Sequence, residues 1–114
     1  MLPLIHGDVV ALARAMMRAP EAEWPAMVGC AFARARIAGR YRRAQGRPHP
    51  RWGDGSLEAA VSGWPKGPEA GFCNARWRRA VVVVLGGDID IEMHRVSSIS
   101  LILRGGLESW NVTL

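Results

Sequence analysis

Glu21 and Glu23 stand two residues apart, just after Pro20 and just before an apolar-periodic stretch. A carboxyl group held in a cleft with a raised pKa can protonate a glycosidic oxygen, so this pair is the first candidate for catalysis. Acids at the start of a helix also stabilise its dipole, by about 0.3–1 kcal/mol, without doing any chemistry. The second candidate runs from Arg34 to Arg51, which holds seven arginines and no acid, with Tyr41 inside it and Trp52 beside it. Arginine pairs phosphates and carboxylates bidentately, and aromatic rings stack on bases or sugar faces. An anionic polymer or protein partner is one reading of that stretch, and a solvated helix face is the other. The third group is Trp64, Phe72, Asn74 and Trp77 around Cys73, which could line a carbohydrate groove or plug the core of a loop-rich chain.

Several chemistries have no support. No recognition-helix, RNA-recognition or zinc-finger signature accompanies the arginines, so nucleic acid is argued from charge alone. His6, His49 and His94 are scattered without ligand spacing, and neither a metal nor a cofactor is expected. Cys30 and Cys73 show no CxxC spacing; they read as small buried hydrophobes, with one disulfide if the chain is exported. A cysteine nucleophile would need a histidine nearby, and nothing in the sequence places one beside Cys73.

The elements that must position these groups follow from periodicity and punctuation. Asp8 reads as the N-cap of a helix with Val9, Val10, Leu12, Ala13, Met16 and Met17 on one stripe, ended by Pro20. A central helix begins near Glu21–Pro25 and carries Trp24, Met27, Val28, Ala31, Ala35 and Ala38 at intervals of three and four. Its basic C-terminal half runs into a loop with Gly46, Pro48 and Pro50. Asp54, Gly55 and Ser56 form a capping turn before a short helix over Leu57–Val61, and Gly63 to Gly71 is loop. Asn74 caps a further helix with Trp77, Ala80, Val81 and Val84 on one face and Gly86 as its stop, although Val81 to Val84 also fit a buried strand. After Gly87 the pattern alternates, and Ser97–Leu103 and Leu107–Leu114 read as a hairpin turning at Gly105-Gly106.

At 114 residues the chain fits one domain, residues 1–114 together. Fifteen Lys and Arg against ten Asp and Glu give a net charge of +5, which suits polyanionic partners. The longest apolar run, Ala80 to Leu85, is far short of the roughly 20 residues of a membrane span. His6, Gly7 and Asp8 interrupt any leader early, so a cytoplasmic location is expected unless another route exports the chain. Composition says nothing of oligomeric state.

Taken in order, several segments resemble the SleB-type cell wall hydrolases, relatives of spore-cortex-lytic enzymes found also in phages. They are Leu12-Ala13-Arg14, Arg34-Ala35-Arg36, Gly46-Arg47-Pro48-His49-Pro50 and the run from Trp52 through Asp54 and Glu58 to Val61. Phe72-Cys73-Asn74 is similar to an eroded Gln-Phe-Ser-Cys-Trp-Asn signature, and Arg79 to Asp90 to the helix that follows it. The resemblance implies a lysozyme-like α+β domain, mainly helical with a small C-terminal hairpin, that cleaves the peptidoglycan glycan strand with one Glu as general acid. The family's acid position falls on Ala19, with Glu21 two residues later, and its second acid matches Glu23. That departure implies an impaired member. Glu21 and Glu23 are thus the expected catalytic residues, and Arg47, Trp64, Phe72, Asn74 and Trp77 the expected substrate contacts. The alternative expectation is a non-catalytic basic protein that binds an anionic partner through Arg34–Arg51.

Overall fold

A computed structural model describes residues 1–93 and shows four α-helices: α1 (His6–Met16), α2 (Trp24–Gln45), α3 (Leu57–Ala60) and α4 (Ala75–Met93). A single 3-10 turn, Glu21–Glu23, leads directly into α2. Helix α2 is the spine. Its N-terminal half buries Trp24, Met27, Val28 and Phe32 against Leu12 and Met16 of α1, Leu57 and Val61 around α3, and Trp77 and Val84 of α4. The spacing of Trp24, Met27, Val28 and Ala31 supplies this buried stripe, and Pro25 sits in the first turn, where its missing N–H costs nothing. Gly46 ends α2 in the left-handed region (φ 72°) and donates its N–H to the Arg42 carbonyl at 2.8 Å.

Asp8 has a different task from the one expected. Helix α1 starts at His6 after Ile5, and Asp8 lies inside the first turn. Its buried carboxylate accepts the N–H of Ile5 at 3.0 Å and that of Glu58 at 3.0 Å. One side chain therefore satisfies orphan donors at the starts of both α1 and α3, across 50 residues of sequence. Ser56 caps α3 by accepting from Ala59 N–H at 3.2 Å, and Asn74 caps α4 by accepting from Trp77 N–H at 3.0 Å.

The α+β expectation is corrected: no strand occurs among the described residues, and His49–Gly53 is an isolated bridge. Val81 to Val84 are helical, with Val84 buried and Val82 exposed, because α4 packs one face on α1 and α2. Gly86 does not stop it. Helix α4 runs through Gly86 and Gly87 to Met93, so the alternating Asp88–Glu92 segment is helix as well. Gly87 lies so close to α2 that a Cβ there would collide with Val28 Cγ1. The glycine marks a close helix crossing rather than a terminus. The expected hairpin, Ser97–Leu103 with Leu107–Leu114, lies outside the described residues. No described helix is long and apolar enough to cross a membrane.

Candidate functional site

Glu21, the first residue of the 3-10 turn, is exposed at the edge of a mostly apolar cleft of about 590 Å³ that Trp24, Pro25 and Val83 also line. Arg79 of α4 grips its carboxylate with two bonds, Nε to Oε1 at 2.9 Å and a terminal nitrogen to Oε2 at 3.1 Å. Arg76 adds a contact at 3.8 Å. The Arg79 hydrogen bond, followed by the charges of Arg79 and Arg76, holds the Glu21 carboxyl below the usual glutamate range. A general acid needs the opposite displacement. Glu23 is exposed at the entry to α2.

Of the expected carbohydrate contacts only Phe72 and Trp77 share a groove. Trp77 is buried in the core, and Asn74 is occupied in capping α4. Phe72, 63% exposed, shares a small groove of about 220 Å³ with Trp77, His6, Val10 and Leu85. Trp64 belongs elsewhere, over the Arg34 guanidinium with 5.3 Å between group and ring centre. Arg47 is exposed in the loop after α2. Both thiols are free: Cys30 is buried, which pushes its pKa up despite nearby Arg34, and Cys73 is exposed. No cluster of His, Cys, Asp or Glu among the described residues could hold a metal ion.

What the structure does assemble is the basic end of α2. Arg36, Arg40 and Arg43 recur at four and three residues and so share a helix face. Burial first, and then the charges of Arg43, Arg36 and Arg40, lower the pKa of the Met1 amine. Arg42 and Arg43 line a cleft with Asp54. Arg47 and Arg51 continue the charge on an exposed loop.

That loop is held by a ladder of rings. Tyr41 of α2 meets His49 edge-on at 5.0 Å, His49 stacks on Trp52 at 4.9 Å, and Arg34 lies over Trp52 at 5.5 Å and over Trp64 at 5.3 Å. His49 Nδ1 accepts the backbone N–H groups of Arg51 and Trp52 at 3.1 and 3.2 Å, while its own backbone bridges to Gly53. With Nδ1 engaged as an acceptor, Nε2 is the ring nitrogen left to donate. Arg34 gives a terminal N–H to the Ala60 carbonyl at 3.3 Å, and its Nε is buried without a hydrogen-bond partner. Arg34 and His49 were not separable by sequence from their solvated neighbours. The one available signal is that Arg34, Tyr41 and Ala38 share the α2 face opposite Arg36, Arg40 and Arg43.

Residues 2–87 match the model of a family described as Domain of unknown function (DUF7742). No curated protein and no solved structure matches the chain.

Proposed function

The chain belongs to the DUF7742 family, and from that premise we propose that it is a small helical binding module for nucleic acid, engaging phosphates through the basic end of α2 and the loop after it. The observation that carries this reading is the arrangement of Arg36, Arg40 and Arg43 along one face, with Arg42, Arg47 and Arg51 beside it and no acid in the stretch. From Arg36 to Arg43 the helix rises roughly 10 Å, the axial length over which one strand of a duplex places about three phosphates. The ring ladder keeps the loop, and with it Arg47 and Arg51, in a fixed position relative to α2. Ordering that loop before binding reduces the entropy lost on binding.

The glycan-hydrolase expectation has weaker support. It asks for a carboxyl that is protonated at working pH, and the Arg79 clamp on Glu21 favours the ionised form. The deciding experiment is a salt titration of binding to short mixed-sequence DNA. Contacts from three or four arginines give a slope of log K against log salt of about −3, and Arg43→Gln is expected to reduce it by about 1. A flat response would refute nucleic-acid binding and leave the charge as solvation.

A further inference from the structure

Between Met1–Leu2, the last turns of α2 and the Asp54 turn lies a cleft of about 420 Å³, within the roughly 300–1,000 Å³ typical of small-molecule sites. Gly39 lines it with bare backbone: a Cβ there would stand 2.6 Å from the Met1 nitrogen, and behind it a Cβ on Gly55 would stand 3.0 Å from the Gly39 Cα. Leu2 N–H donates to the Gly55 carbonyl at 2.9 Å and fastens the N-terminal segment there.

The polar groups of this cleft are of two kinds. Arg42 and Arg43 supply guanidinium donors, and Asp54 supplies a carboxylate. Ser56 N–H occupies Asp54 Oδ1 at 3.0 Å, and the Ser56 hydroxyl and the Asp54 N–H also bond the carboxylate, whose roughly four lone-pair sites still include one for a ligand. Hydrogen bonds from Ser56, with a smaller contribution from the Arg42 charge, keep the Asp54 carboxyl below the usual aspartate range, so it remains an acceptor at neutral pH. The end of α2 adds carbonyls that lack intrahelical donors. A bare anion would be drawn by the arginines and repelled by Asp54. A ligand that joins an anionic group to an amine edge meets both demands.

Resting on the nucleic-acid reading above, we infer that this cleft takes an unstacked, amino-bearing base of a single strand, with Asp54 accepting from the exocyclic amine while Arg42 and Arg43 hold the adjoining phosphates. Cytosine offers an N4 amine where thymine offers an O4 carbonyl, so the carboxylate attracts the first and repels the second. A base inside a duplex is paired at that edge and cannot enter.

The test is fluorescence anisotropy of the full chain with labelled oligo-dC and oligo-dT of about 12 nucleotides. Oligo-dC is expected to bind about five- to tenfold more tightly, the lower part of the range for one specific base contact. Asp54→Asn keeps an oxygen for Ser56 N–H and offers the cleft amide N–H donors instead of an acceptor; it is expected to abolish the preference while melting like the parent. Equal affinity for the two strands, with the steep salt dependence intact, would overturn the base cleft and leave phosphate binding standing. Loss of salt-sensitive binding to both strands would overturn the two together. A preference that survives Asp54→Asn would overturn the role of Asp54, and the comparison on the parent chain needs no variant to fold.

Discussion

A carboxylate can be a structural tie or a reagent, and its partners decide which. Asp8 is a tie, accepting Ile5 and Glu58 N–H groups in a buried position. Asp8→Ala would remove the shared acceptor of the Ile5 and Glu58 N–H groups at the starts of two helices and is expected to cost about 1–3 kcal/mol, measured by chemical denaturation. Glu21 is paired but exposed, so removing the pair with Arg79→Gln is expected to leave the melting temperature nearly unchanged. The readout that does move is the Glu21 titration followed by NMR, which should rise toward the ordinary glutamate range in Arg79→Gln while Arg76 still lowers it. Since the folded-state value lies below the unfolded one, the pair stabilises the fold above the ordinary glutamate range, and that contribution disappears as pH falls through the folded value. Incubation with purified peptidoglycan between about pH 6 and pH 8 is expected to release no muropeptides, because the Arg79 clamp favours the ionised form of Glu21. Release that depends on Glu21 would contradict this.

At the scale of elements, α2 and α4 show where periodicity is informative and where it fails. Helix α2 was legible because its apolar residues recur at three and four over a long window, with Gly46 placed to end it. Helix α4 was legible at its start, through Asn74 and Trp77, and not at its end. A glycine pair after a periodic stretch has the signature of a stop, and only the closeness of Val28 reveals Gly87 as a contact between helices. Gly87→Val is accordingly expected to destabilise the fold by about 1–3 kcal/mol through overpacking against α2, seen as a lower unfolding midpoint. Of the candidate site, the arginines were legible as charge, whereas the arrangement of Arg34, His49 and Trp52 depends on a loop returning to α2, which no local pattern encodes. Arg34→Met would keep a polarisable chain against Trp52 and Trp64 and remove the unpartnered Nε. It is expected to change stability by less than about 1 kcal/mol, while Arg34→Ala, which empties the space, should cost more.

At the scale of the whole molecule, apolar and basic character are separated along one rod. The N-terminal half of α2 is enclosed by α1, α3 and α4, and its C-terminal end carries the exposed arginines. Arg76 closes the opposite end: its guanidinium donates to the carbonyls of Met17 and Ala19 and lies 5.0 Å from the Trp24 ring. The carbonyls after α1 are therefore satisfied by a residue nearly 60 positions later, which ties the α1–α2 connection to the docking of α4.

Nearly all of the positive charge is guanidinium. Lys66 is the only lysine, and its ammonium is folded back onto the Val61 and Trp64 carbonyls at 2.7 and 3.3 Å. Guanidinium does not deprotonate in the accessible pH range and is not a substrate for lysine acylation. The basic end of α2 thus keeps its charge through alkaline conditions and through acetylation that would silence a lysine-rich surface. Reagents discriminate in the same way: acylation at Lys66 should leave DNA binding intact, and arginine-directed dicarbonyl reagents should abolish it.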